Sequence, residues 1–87
     1  MHEASLMRGL MGQITTLAEA EGAKRVTNVH VWLGALSHMS PDHFREHFDQ
    51  SSPGSIAEGA SLTIDSSDDL KNPNAQEIVI ESIEVET

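Results

Sequence analysis

The stretch that decides the fold alternates apolar and polar side chains and reads Arg25-Val26-Thr27-Asn28-Val29-His30-Val31-Trp32-Leu33. A period of two is typical of a β-strand, in which successive side chains point to opposite faces of a sheet. The pattern predicts that Val29, Val31 and Leu33 face a core. The residues predicted on the opposite face are Val26, Asn28, His30 and Trp32.

A helix is predicted on the N-terminal side of this strand. Apolar residues recur at helical spacing from Ser5 to Glu21, and Gly22 follows as a C-terminal stop. The predicted apolar positions are Leu6, Met7, Leu10, Met11, Ile14, Leu17 and Ala18.

A second helix is predicted on the C-terminal side. Ser40 is a typical N-cap residue and Pro41 suits the first helical position, so the helix should begin there and run to about Asp49. Two aromatic residues at a spacing of four point inward together, namely Phe44 and Phe48.

Two more strands are predicted in the last third of the chain. The first alternates over residues 60–65, and the second changes apolar parity between Ile80 and Ile83, which predicts a β-bulge near Glu81 and Ser82. The predicted class is therefore α+β in the order αβαββ, with a small, mainly antiparallel, three-stranded sheet and both helices on one face. The second and third strands are predicted to pair through the polar connection 65–76, which is long for a hairpin loop.

Composition limits the class of protein. The 87 residues fit one domain with a modest core, and the formal net charge of -9 argues against nucleic-acid binding, which needs a basic surface. With no cysteine, disulfides and thiolate zinc sites are not expected. The sequence shows neither a signal-peptide pattern nor a long apolar run, which predicts a cytoplasmic protein without a membrane partner.

The amino terminus is the strongest candidate site. The amine of Met1 with the amide and imidazole of His2 can close adjacent chelate rings around a square-planar ion, and Glu3 can add an oxygen or orient His2. Nickel(II) and copper(II) favour such nitrogen-rich sets. A start methionine followed by histidine occurs by chance in many proteins, so the motif becomes specific only together with the rest of the chain.

The rest of the chain supplies that context. Five segments occur in order: Met1-His2-Glu3-Ala4-Ser5-Leu6-Met7, Gly22-Ala23-Lys24-Arg25-Val26, Gly34-Ala35-Leu36-Ser37, Ile56-Ala57-Glu58-Gly59-Ala60 and Ile83-Glu84-Val85-Glu86. Together they resemble the hydrogenase/urease nickel-incorporation family HypA (HybF). The resemblance implies one nickel-binding-type domain over residues 1–87, with Ni²⁺ bound by Met1, His2 and Glu3.

The resemblance has one clear departure. The family carries a small zinc domain with two CxxC pairs between its second and third strands, whereas this sequence has the polar connection 65–76 at that place and no cysteine. A family acid ahead of the second helix is here Ser40, which is better explained as the N-cap. No structural zinc is therefore expected.

Two functions remain open from the sequence. The resemblance implies a nickel metallochaperone that serves a NiFe hydrogenase or urease precursor, with a maturation GTPase as a further partner and a homodimer left open. The alternative is a non-catalytic docking or structural module of a hydrogenase or its maturation complex that has lost regulated metal delivery. Met1-His2-Glu3 favours the carrier, and the missing cysteines favour the module. An enzyme is not expected, because the sequence has no Ser/His/Asp order with supporting turns, no cysteine nucleophile and no glycine-rich phosphate-binding loop.

The remaining histidines are weaker candidates. His38, just ahead of the second helix, is an auxiliary nickel ligand if its loop folds over the amino terminus. His43 and His47 have the i, i+4 spacing that can bind one metal, although two exposed histidines without a third ligand are the commoner case. His30 and Trp32 share the predicted open strand face, either as a partner-binding patch or as isolated surface residues.

Overall fold

The computed structural model describes residues 2–87, with side chains from Ala4 onward. Its elements are α1 (His2–Ala20), β1 (Arg25–Leu33), α2 (Pro41–Ser51), β2 (Ser61–Ser66) and β3 (Ile78–Glu86). The predicted αβαββ order, the three-stranded sheet and the two helices are confirmed. In the described part of the chain, neither helix has the length and apolar character needed to cross a membrane.

Helix α1 buries one stripe of side chains, namely Met7, Leu10, Ile14 and Ala18. Leu17 was predicted to join this stripe but is 45% exposed. The buried residue after Ile14 is Ala18, four positions on, and Leu17 lies at the edge of the buried face. The helix ends at Ala20, and Gly22 just beyond it has left-handed backbone, with φ of 65°.

The end of α1 is closed by backbone hydrogen bonds. The Gly22 amide donates to the Glu19 carbonyl and the Ala23 amide donates to the Ala18 carbonyl. This is the Schellman arrangement, which satisfies carbonyls that the last helical turn leaves without partners. The predicted helix stop at Gly22 is therefore confirmed.

The sheet is mixed and has the order β2-β1-β3. Strand β1 pairs in parallel with β2 and antiparallel with β3. The predicted antiparallel pairing of β2 with β3 is wrong, because β1 lies between them. Local alternation indicates a strand and its faces, but it does not specify which edge of a neighbouring strand is used.

Because β1 lies between β2 and β3, the connection between these two strands must cross over β1. The connection 67–77 passes over the C-terminal end of β1, where the Ser67 amide donates to the Leu33 carbonyl at 2.8 Å. At its other end the Gly34 amide donates to the Glu77 carbonyl at 2.9 Å. Both ends of the connection are thus fixed to consecutive residues.

Two β-bulges set which side chains face the core. His30 is opposite Ser82 and Val31 is opposite Ile80, so Glu81 is the extra residue on β3, as predicted. Strand β1 contains a second bulge that the sequence did not predict. Its extra residue is Thr27, because Val26 is opposite Val85 and Asn28 is opposite Glu84.

The second bulge corrects the predicted face of Val26. An extra residue inverts the alternation, so Val26 lies on the core side with Val29 and is only 1% exposed.

Helix α1 packs on α2 and β3, and α2 packs near β2. Phe44 and Phe48 of α2 are fully buried, as predicted. The helices cover the core face and leave the face bearing His30 and Trp32 open.

Candidate metal centre

The predicted amino-terminal site lies mostly outside the described residues. Met1 is not described, nor are the side chains of His2 and Glu3, so their role as nickel ligands stays a prediction. The backbone of His2 and Glu3 belongs to the first turn of α1. The first amide groups of an α-helix have no acceptor within the helix. The His2 amide is therefore not committed to an intrahelical hydrogen bond.

A cleft lies close to this first turn. Its volume is about 490 Å³, and it is lined by Leu6, Ser37, His38, Met39, Gln76, Glu77 and Ile78. Leu6 follows His2 by four residues, which is a rise of about 6 Å along the helix. His38 and Leu6 thus line the same cleft, and Leu6 lies about one helical turn after His2. The role of His38 as an auxiliary nickel ligand stays a prediction.

The backbone at His38 turns the chain between β1 and α2. His38 is the one non-glycine residue in the described chain with positive φ, at 60°. Histidine is among the residues that tolerate this left-handed conformation. The turn leaves the His38 side chain exposed while Met39 is buried at 9% exposure. An imidazole is thereby presented at the rim of the cleft.

The cleft contains two polar groups that the sequence analysis missed. The Ser37 hydroxyl is buried and has no hydrogen-bond partner among the residues that the structure describes. Glu77 adds a carboxylate, because it directly precedes β3 and its carbonyl pairs with Gly34 at the end of β1. Knowledge that β3 pairs with β1 would have placed Glu77 beside the 34–38 loop.

Ser40 has a structural role, as predicted. Its side-chain oxygen accepts a hydrogen bond from the His43 amide at 3.1 Å, and its backbone is extended, so it caps α2. An N-cap hydroxyl satisfies one amide of the first helical turn. The position that holds an acid in the resembled family thus serves the helix in this chain.

His43 and His47 are brought together on α2. Their Nε2 atoms are 2.9 Å apart and their ring centroids are 4.6 Å apart. Among the side chains that the structure describes, no third histidine or carboxylate joins them in a group of metal-binding size. The pair has the geometry for two ligands but not for a complete site.

His30 is held by acidic side chains from both neighbouring strands. Its Nε2 lies 2.6 Å from Asp65 Oδ2 on β2 and 3.3 Å from Glu81 Oε1 on β3. The hydrogen bond with Asp65 raises the pKa of His30, opposed by partial burial and supported by the charges of Asp65 and Glu81. His30 was singled out from the sequence but the two carboxylates were not, because their approach depends on β1 lying between β2 and β3.

Trp32 lies next to this cluster and is half-buried. It lines a shallow cleft of about 250 Å³ together with Asn72, Asn74, Val79 and Glu81. The predicted contact patch of His30 and Trp32 is therefore on the open face, although His30 is already engaged with Asp65.

Comparison with known proteins gives the family. A family model described as hydrogenase/urease nickel incorporation, metallochaperone, hypA, matches residues 1–72. Hydrogenase maturation factor HypA of Methanosarcina mazei is 38% identical over 65 residues, which cover 75% of this chain and 47% of that protein. The protein of the same name from Archaeoglobus fulgidus is 39% identical over 64 residues, which cover 74% of this chain and 58% of that one. The chain thus spans about half the length of the curated relatives it matches.

The fold is also found in solved structures. The solution structure of the Ni metallochaperone HypA from Helicobacter pylori superposes with a TM-score of 0.78, with 97% of each chain covered and 17% identity. A second solution structure of a HypA protein has a TM-score of 0.73 and 22% identity. At these identities the superpositions establish the fold alone. With the family match over residues 1–72, the sequence and the fold together show that this chain belongs to the HypA hydrogenase/urease nickel-incorporation family.

Proposed function

We propose that this protein is a cytoplasmic metallochaperone that holds Ni(II) at its amino terminus and passes it to a NiFe hydrogenase or urease precursor. Family membership supports nickel handling. The structural observation that supports the site is that His38 lines the same cleft as Leu6, which follows His2 by about one helical turn. The delivery step and its partners, a maturation GTPase and the precursor enzyme, are part of the proposal.

The proposed ligands are the amine of Met1 with the amide nitrogen and imidazole of His2. The fourth position falls to Glu3 or to the His38 imidazole across the cleft. A bound ion can displace the proton of a helix amide that has no intrahelical acceptor, because no internal hydrogen bond has to be broken, and the proton is released to solvent. The proposal requires a free amine at Met1.

Protons compete with nickel for these ligands, so binding should weaken as the pH falls. The cleft is open to solvent, which suits transfer by stepwise ligand exchange with an acceptor. The acidic character of the chain, at a formal net charge of -9, favours a bound cation over a bound anion.

Nickel titration of protein with an authentic amino terminus tests the site. The parent should bind one equivalent with the absorption of a square-planar complex. His2→Ala or a tag ahead of Met1 should abolish this absorption and weaken binding by orders of magnitude. His47→Ala is the matched control, since it removes an imidazole of α2 that does not line the cleft. Equal loss in His2→Ala and His47→Ala would contradict the terminal site.

Delivery is tested by activity rescue and pull-down on the same variants. A carrier should lose activation of hydrogenase or urease at limiting nickel when His2 becomes Ala. If only Trp32→Ala reduced both partner capture and activation, the docking-module alternative would replace nickel delivery as the main function.

A further inference from the structure

We infer that the open face of the sheet carries a second metal site, the strand triad of His30, Asp65 and Glu81, which binds a divalent first-row transition ion, Zn²⁺ in particular. This site is independent of the amino-terminal nickel site, because the sheet separates the open face from the helices.

The triad takes one ligand from each strand. His30 is on β1, Asp65 on β2 and Glu81 on β3, and one ligand atom from each lies within 4.8 Å of the other two. In a tetrahedral zinc site with bonds of about 2.0–2.2 Å, neighbouring ligand atoms are about 3.3–3.6 Å apart. His30 Nε2 and Glu81 Oε1 already have this separation, at 3.3 Å. His30 and Asp65, at 2.6 Å, need to separate by less than about 1 Å.

The sheet fixes the backbone positions of these ligands. His30 is opposite Thr63 and Trp32 is opposite Asp65 in the parallel pairing, so the Asp65 side chain approaches His30 diagonally. On the other side, the bulge at Glu81 sets Glu81 and Ser82 against His30. Bulges commonly re-aim side chains beside functional sites. Binding therefore requires side-chain rotation only, while the three strands stay hydrogen-bonded.

Charge and exposure also suit a cation. Two carboxylates approach a single imidazole, and their mutual repulsion is relieved by a positive ion between them. His30 Nε2 and Asp65 Oδ2 lie at hydrogen-bond distance, and the proton that they share would be released when a metal binds. The side chains of His30, Asp65 and Glu81 are 33%, 60% and 41% exposed, so an ion and a completing water have access.

The ligand set indicates the type of metal. Imidazole nitrogen and carboxylate oxygen are both zinc ligands, and zinc sites with three protein ligands take water in the fourth position. Magnesium and calcium select oxygen ligands and gain little from the imidazole. The triad is also more complete than the His43 and His47 pair, which offers two ligands from one helix.

Zinc chloride titrated into the isotope-labelled full chain tests the site, with the histidine ring resonances as the readout. The His30 resonances should shift and saturate at one equivalent, and an equal concentration of magnesium should leave them in place. Glu81→Gln should weaken this response at least about tenfold, since it removes a ligand. Glu84→Gln is the matched control, because Glu84 is an exposed acid on β3, opposite Asn28 and outside the triad. It should change zinc affinity by less than about twofold, in line with the small effects of exposed charges.

Three results would overturn the site. The first is that zinc shifts the resonances of His43 and His47 but not those of His30, and the second is that magnesium shifts the His30 resonances as strongly as zinc does. The third is that Glu81→Gln and Glu84→Gln weaken zinc binding equally, which would show an effect of charge alone. Asp65→Asn provides a second ligand variant if Glu81→Gln alters the fold. His2→Ala should leave the His30 response unchanged, so failure of the terminal nickel site and failure of the triad are separate outcomes.

Discussion

Replacing Gly34 with alanine should loosen the connection between β2 and β3 from the end of β1. A β-carbon at Gly34 would lie 2.6 Å from the carbonyl carbon of Ala75 and 2.9 Å from the carbonyl oxygen of Asn74. Both are backbone atoms, so no side-chain rotation relieves the overlap. The segment around Ala75 must move away from β1.

The cost follows from the contacts that this movement breaks. The Gly34 amide donates to Glu77 at 2.9 Å and the Leu36 amide donates to Ala75 at 2.7 Å. Each such hydrogen bond contributes about 0.5–1.5 kcal/mol net. Exposure of the Ala75 methyl group, now 4% exposed, adds about 0.8 kcal/mol. Gly34→Ala should therefore lower the free energy of unfolding by about 2–4 kcal/mol, a large fraction of the 5–15 kcal/mol typical of a domain.

Urea unfolding at 25 °C, followed by circular dichroism, measures this loss. Gly12→Ala is the control, because Gly12 lies within α1 and a β-carbon there has no atom within 4 Å apart from the local backbone of its own helix and its chain neighbours. That substitution should stabilise the protein by about 0.5–1 kcal/mol, as glycine is unfavourable inside a helix. The two changes thus have opposite expected signs. A Gly34→Ala variant within about 0.5 kcal/mol of the parent would refute the close packing of the connection on Gly34.

Other perturbations have equally direct readouts. Phe48→Ala should cost about 3–5 kcal/mol in urea unfolding, because Phe48 is 1% exposed, whereas Leu17→Ala at 45% exposure should cost far less; equal losses would contradict the assigned core. Ser40→Ala should cost about 1 kcal/mol through loss of the α2 cap, and no change in stability would mean the cap is dispensable. The NMR titration of His30 in metal-free protein should have its midpoint above the ordinary pKa of 6.5, and Asp65→Asn should lower that pKa. Since the folded-state pKa is raised, the contact stabilises the fold below pH 6.5, and its contribution disappears as the pH rises through the raised pKa; a midpoint unchanged by Asp65→Asn would disprove the coupling.

Much of the fold was predictable because its signals are local. The cap at Ser40, the helix stop at Gly22 and the bulge at Glu81 each follow from a few neighbouring residues. The bulge at Thr27 left no such signal, since a polar residue next to Asn28 is compatible with a regular strand as well. The face of Val26 was consequently assigned wrongly.

The strand order could not be predicted from the sequence, and the cluster of His30, Asp65 and Glu81 depends on it. If β2 and β3 had formed a hairpin, β1 would have been an edge strand and His30 could not have had an acid on both sides. Its exposure on the open face was predictable from the period of two. The approach of Asp65 and Glu81 was not, because it requires β1 in the central position. The nickel ligands at Met1, His2 and Glu3 remain predictions of the sequence.

The connection that crosses β1 is a suitable site for inserting extra sequence. Ser67 is hydrogen-bonded to Leu33, and Glu77 is hydrogen-bonded to Gly34. Because Leu33 and Gly34 are consecutive, the segment between Ser67 and Glu77 begins and ends at the same place in the sheet. Its contour length is then free to vary, since each doubling of a flexible loop costs only about 0.6 kcal/mol in closure entropy. A reporter peptide or an entire folded module spliced in between Asp68 and Asn74 should leave β1 with both partners. Chains of very different length can share this sheet.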